Sequence, residues 1–166
     1  SKMQQAIDAA LVFLDNMEPT NRVGLAVFSD EVELLIPLQN FESIDDDLRA
    51  EIDRLRADGG TELYQAVAEM ATMMTDLEGS EDRIQAIVLL SDGANTGDSG
   101  ATLSDAVVAL EASRNALNPL IMIPVAYGSD ADINALNALA RASNTRVASG
   151  DPQSILGVLQ IISSYF

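Results

Sequence analysis

Three short runs of this chain are apolar on both faces of a strand: Val23-Gly24-Leu25-Ala26-Val27-Phe28, residues 84–90 around the core Ile87-Val88-Leu89-Leu90, and residues 120–127. A strand without a polar face has to be covered from both sides, and in proteins the covering layers are helices. The segments between the runs supply them. Met3, Ile7, Leu11 and Leu14 recur at helical spacing over residues 2 to about 16, up to Pro19.

After the first run, Ser29-Asp30-Glu31 makes a turn and residues 32–36 read as a returning strand, with Pro37 just beyond it suited to a sheet edge. Leu48, Ile52 and Leu55 mark a second helix, entered through Ser43 and the acidic run Asp45-Asp46-Asp47, whose charges favour a helix N-terminus. Gly59-Gly60 breaks it, and a third helix runs from about Glu62 to Leu77. Further helices are predicted over residues 103–117 and 133–142, and a short last strand over 145–148. Asp151-Pro152 opens a final helix over residues 152–164. Helix and strand alternate after the hairpin, which predicts an α/β fold of Rossmann-like, doubly wound type: a mostly parallel sheet with one antiparallel edge strand and helices on both faces. With no linker, repeat or low-complexity tract, residues 1–166 read as one domain.

Composition narrows the chemistry. The chain has no cysteine and no histidine, so it lacks a thiol nucleophile, the imidazole of a Ser-His-Asp triad and the usual zinc ligands. Twenty-six acidic against nine basic residues give a formal charge of −17. That field repels phosphate backbones and anionic lipid, so nucleic acid is not an expected partner. No apolar run approaches the roughly 20 residues of a membrane span, and no direct membrane insertion is expected.

In an open α/β sheet, ligands bind outside the carboxyl ends of the strands. Asp92 follows the apolar run 84–90, where a carboxylate needs a cation, a helix terminus or hydrogen bonds; a turn aspartate beside Gly93 is the simpler reading. Thr61 follows Gly59-Gly60, a pair that permits close backbone approach, and could equally cap the next helix.

Taken together, three segments in this order, Asn21-Arg22-Val23-Gly24-Leu25-Ala26-Val27-Phe28-Ser29-Asp30, Leu55-Arg56-Ala57-Asp58-Gly59-Gly60-Thr61-Glu62-Leu63-Tyr64 and Ile87-Val88-Leu89-Leu90-Ser91-Asp92-Gly93, closely resemble the von Willebrand factor type A family. The resemblance extends over almost the whole chain. It implies a non-enzymatic, protein-binding module with a metal-ion-dependent adhesion site, where Mg²⁺ or Mn²⁺ is held by side-chain oxygens and receives an Asp or Glu carboxylate of a protein partner. By resemblance Thr61 and Asp92 are metal ligands, Gly60 and Gly93 permit close backbone approach, and Ser29 and Asp30 rim the site without ligating. In relatives, ligand binding can be coupled to a shift of the last helix.

One departure from the family matters. Its first strand, which lies centrally in the sheet and ends in an Asp-x-Ser-x-Ser loop carrying three further ligands, is not in this sequence; Ser1 aligns just past it. The expected metal site is therefore incomplete in this chain. A gap would leave backbone groups unpaired, at roughly 1–3 kcal/mol for each one buried. It is expected to close by rearranged pairing, by a strand from another copy in a strand-swapped homodimer, or by residues outside this sequence. The composition fits a bacterial protein and leaves location open, with the envelope or exterior favoured over the cytoplasm.

Other motifs read differently. Gly97-Asp98-Ser99-Gly100 imitates a protease nucleophile loop but has no base, and reads as a flexible turn. Asp130-Ala131-Asp132 begins like a calcium loop, but Ala135 and Arg141 stand where Gly and Glu are needed, so helix capping by Asp130 or Asp132 is expected. Met70, Met73 and Met74 read as core. Two alternatives to the adhesion reading are a metal-free scaffold domain and a Rossmann-like Mg²⁺ phosphohydrolase using Asp92. The latter lacks a phosphate loop, and Lys2 is the chain's sole lysine.

Overall fold

A computed structural model describes residues 1–56, 60–79, 82–113, 120–128 and 131–163 of the chain. The elements are α1 (Lys2–Asp15), β1 (Arg22–Phe28), β2 (Val32–Asn40), α2 (Phe41–Asp53), α3 (Leu63–Asp76), β3 (Gln85–Ser91), α4 (Leu103–Ser113), β4 (Leu120–Ala126), α5 (Ile133–Ala142), β5 (Ala148–Ser149) and α6 (Pro152–Ser163). Ala57, Asp58, Gly59, Leu117, Ser129, Asp130 and Ser164, which the sequence reading used, lie outside the described residues.

The predicted alternation holds, and β4 shows why. Leu120 and Met122 enter one core with Leu63, Val67, Leu110, Leu136 and Leu139 of α3, α4 and α5. Ile121, Ile123 and Val125 face the other way, into a core with Ala9 of α1 and Ile155 and Val158 of α6. Period-2 alternation with both sides apolar thus buries the strand between two helical layers. β3 pairs with β4 in parallel from Gln85↔Leu120 to Ser91↔Ala126, and β4 pairs with β5 at Val125↔Ala148.

The hairpin forms a separate antiparallel sheet, β1–β2. Its returning strand is longer than expected and reaches Asn40 with Pro37 inside it. Pro37 is tolerated because β2 pairs, among the described residues, with β1 alone, beside a register shift at Gly24, where a Cβ would come within 2.7 Å of the Ile36 carbonyl oxygen. The second helix correspondingly begins at Phe41, so Asp45 to Asp47 lie in its second turn rather than at its entry. The Ser43 hydroxyl donates to the Asn40 carbonyl, 2.7 Å.

Rearranged pairing does not close the expected central gap. Among the described residues no ladder joins β1 to β3, and the two sheets stay distinct. Helices hold them side by side instead. Ile7 and Leu14 of α1 pack into the hairpin core with Ile36 and Leu48, whereas its Ala9, Val12 and Phe13 pack with β3 and β4. On the opposite face Phe28 and Leu38 of the hairpin join the α3 core that also holds Leu89 of β3. Leu25, Ala26, Val27, Ile87 and Val88 remain only half-buried. Among the described residues no helix is long and apolar enough to cross a membrane.

Candidate functional site

The loops at the carboxyl ends of β1 and β3 meet the start of α3. The hairpin turn is closed by the Ser29 N–H donating to the Glu31 carbonyl at 3.0 Å, and the Ser29 carbonyl accepts from the Glu62 N–H at 2.7 Å. Asp30 Oδ1 accepts from the Gly60 N–H at 3.1 Å. A Cβ at residue 60 would sit 2.7 Å from that same oxygen, so glycine here lets the chain pass against the carboxylate. Ser29 and Asp30 therefore clamp the Gly60–Glu62 segment from the hairpin side.

The loop leaving β3 clamps the same segment from the other side. Asp92 Oδ1 accepts from the Ala94 N–H at 3.1 Å, an Asx turn, and the Ser91 hydroxyl accepts from the Gly93 N–H at 3.0 Å. Gly93 is left-handed at φ 78°, and any Cβ there would overlap the Asp132 carbonyl oxygen. The Asp132 N–H donates to the Asp92 carbonyl at 2.6 Å, and its side chain caps α5 by accepting from the Ala135 N–H at 3.2 Å. That is the capping role expected of Asp132; its alternative, Asp130, is outside the described residues.

Farther along the loop, Thr96 exchanges hydrogen bonds with Thr61. The Thr61 N–H donates to Thr96 Oγ1, and the Thr61 carbonyl accepts from the N–H groups of Thr96 and Gly97, all at 3.0 Å. Asn95 Oδ1 accepts from the Tyr64 N–H at 3.2 Å. Thr61 does not cap α3, because the cap position belongs to Glu62. Glu62 is 5% exposed and turns toward Ser99, accepting from its N–H at 2.8 Å and its hydroxyl at 2.7 Å. Those bonds outweigh the desolvation and hold the Glu62 carboxyl below its ordinary pKa. Gly97 lies so close to Glu62 that a Cβ would overlap the carboxylate. The segment around Gly97 and Ser99, expected to be a flexible turn, is thus anchored on a buried acid.

Lys2, the single lysine of the sequence, places its Nζ 3.3 Å from Asp92 Oδ2, a pairing that no local spacing signals. Tyr127, at the exit of β4, lies near both. Burial raises its pKa first, the Asp92 charge raises it further, and Lys2 lowers it.

Chemically, the two ligand candidates at this edge are the Thr61 hydroxyl and the Asp92 carboxylate, and both oxygens of that carboxylate are engaged within the chain. Mg²⁺ demands about six oxygens, with one or two carboxylates among them. Among the described residues no group of three acidic, histidine or cysteine side chains could hold a metal ion. The donor set of this chain does not fit a complete divalent site by itself.

Sequence comparison matches residues 1–95 to the profile of the von Willebrand factor type A domain. An uncharacterized protein of Synechocystis sp. is 31% identical over 102 residues, which span 61% of this chain and 24% of that protein. The chain thus corresponds to about a quarter of that relative's length. Among solved structures, an aerotolerance-related membrane protein of Bacteroides fragilis superposes with a TM-score of 0.77 at 17% identity, over 98% of this chain and 88% of that one. A von Willebrand factor type A protein of Catenulispora acidiphila gives 0.74 at 20% identity, over 97% and 37%. The manganese-loaded TRAP protein of Plasmodium vivax gives 0.72 at 14% identity, over 92% and 63%. At these identities the structures speak for the fold.

Proposed function

The chain belongs to the von Willebrand factor type A domain family, and from that premise we propose that residues 1–166 act as one non-enzymatic protein-interaction domain. Its partner is a protein that presents an Asp or Glu carboxylate to a Mg²⁺ or Mn²⁺ ion at the edge formed by Thr61 and Asp92. These two supply part of the ligand set, and further oxygen ligands are required to complete it. The observation that carries the reading is the double clamp on residues 60–62, from Asp30 and Ser29 on one side and Thr96 on the other. These bonds hold the Thr61 backbone against the loop that follows Asp92, which supports reading the strand-exit loops as the site. We place the domain at the cell envelope or outside the cell, in keeping with its likeness to a membrane protein of Bacteroides fragilis.

Thermal unfolding with EDTA, Mg²⁺ or Mn²⁺ tests the reading, on residues 1–166 and on a longer form to which a family first strand with its Asp-x-Ser-x-Ser loop is joined upstream of Ser1. An ion at a hundredfold excess over its Kd stabilises by about 2.7 kcal/mol. The expected result is a response in the longer form that Asp92→Asn abolishes. No response in either form, or one indifferent to Asp92, sinks the metal reading and leaves a metal-free scaffold.

A second reading concerns assembly and rests on the edges of β1 and β3, which pair with no further strand among the described residues. Two rows of backbone donors and acceptors flanked by half-buried apolar side chains are a template for one more strand. A strand-swapped homodimer satisfies them. Sedimentation at high protein concentration decides the matter: a strict monomer eliminates the swap.

A further inference from the structure

The chain carries a formal charge of −17, and each of the other helices includes charged residues, yet α6 has none. Its inner face fills the core through Ile155, Val158 and Leu159. Turned outward are Gln153, Leu156, Gly157, Gln160 and Ile161, with Leu156 42% and Ile161 46% exposed. Glycine inside a helix destabilises it relative to alanine, so a mid-helix glycine calls for a packing reason. The chain itself supplies none at Gly157: among the described residues nothing lies within 4 Å of where its Cβ would be. The close approach that this glycine permits is left to something outside the chain.

We propose that the outer face of α6 pairs with α6 of a second copy, antiparallel across a twofold axis that passes between residues 156 and 157. The face is self-complementary about that point. Leu156 of each copy stands over the hollow at Gly157 of the other, and Gln153 meets Gln160, whose amides can bond to each other. Charge selects the same face, because two chains of −17 repel wherever carboxylates oppose each other, and α6 is the helix without them. A helix of 12 residues is about 18 Å long. The contact is therefore small, of the weak class of interface, with a dissociation constant expected at roughly 0.1 mM. It uses no sheet edge and is distinct from strand exchange.

Sedimentation equilibrium of residues 1–166, from about 10 μM to about 1 mM, spans that affinity and tests the pairing. A reversible dimer is expected, tightened when salt rises from about 0.05 to about 0.5 M because screening relieves the repulsion; a dimer that salt weakens, or a strict monomer, overturns the proposal. A monomer that floats with phosphatidylcholine vesicles overturns it in favour of a lipid surface. Leu156→Glu places a carboxylate at the axis and should weaken the dimer about tenfold or more, whereas Val108→Glu, the same change on α4 at a residue 60% exposed, should leave it unchanged. A dimer indifferent to Leu156→Glu overturns the α6 contact and leaves strand exchange. Gly157→Ala probes shape without charge. It should not lower the Tm of the monomer, read at low concentration, yet should weaken the dimer several-fold because the methyl fills the hollow; undiminished dimerisation refutes the fit. The sequence has no cysteine, so oxidised mixtures of Gln153→Cys and Gln160→Cys chains read the orientation: the mixed disulfide should dominate, and equal yields of all three pairs refute the antiparallel register.

Discussion

Gly93→Ala isolates how tightly the Asp92 loop is seated. Residue 93 has φ 78°, so an L side chain there is strained by about 1–2 kcal/mol. Its Cβ would also overlap the Asp132 carbonyl oxygen, which belongs to backbone bonded to Asp92 at 2.6 Å and cannot swing aside like a side-chain tip. Moving that backbone adds the cost of overpacking, about 1–3 kcal/mol. The sum is about 2–5 kcal/mol. Gly100→Ala is the matched control, because φ is 85° there but nothing lies within 4 Å of the added methyl; it should cost only the strain. Urea denaturation of both variants with comparable m-values gives the difference directly. If Gly93→Ala loses no more stability than Gly100→Ala, the close approach to Asp132 does not constrain the loop and the reasoning fails.

Other expectations follow from the same geometry. Glu62 titrates below its ordinary pKa of 4.5, so its stabilising contribution is complete above that pH and is lost as the pH falls through the lower folded value; Glu62→Gln should lower Tm at pH 7 and flatten that part of the acid-unfolding curve. Asp151 behaves likewise, its pKa lowered from 3.8 to about 2, first by the Ser149 hydroxyl and then by Ser154. Asp151→Asn should therefore remove a stability change between about pH 4 and 2, read by circular dichroism. Asp92→Asn should shift the Tyr127 phenol back toward 10 and Lys2→Met should push it higher, followed by phenolate absorbance. Leu136→Ala, at a side chain with 0% exposure, should cost about 2–5 kcal/mol in chemical denaturation.

The strands and helices were legible where the pattern is long and one-dimensional. β4 and α5 lie within a residue of their predicted bounds because Leu120, Ile121, Met122, Ile123 and Val125 alternate between the two cores and Leu136, Leu139 and Ala142 recur at helical spacing on one of them. The hairpin and α2 were less so. Pro37 suggested a strand end and the run Asp45 to Asp47 a helix start, yet an outer strand needs no N–H at Pro37, and α2 starts earlier, at Phe41, without a side-chain cap from Asn40. Glu62 was invisible as a structural acid, because nothing beside it announces the hydroxyl of Ser99, 37 residues later.

The sequence alone determined which segments are buried on both faces, and hence the α/β layering, and it placed Gly60, Thr61, Asp92 and Gly93 on strand-exit and helix-entry loops. Periodicity records the side on which a residue is buried, not the partner that buries it. The separation of the hairpin from the parallel sheet, the anchoring of Ser99 on Glu62 and the pairing of Lys2 with Asp92 were therefore decided only by the tertiary structure. Each joins residues far apart in the chain, where no local spacing carries a signal and only the packing of α1 and α3 across the two sheets sets the distance.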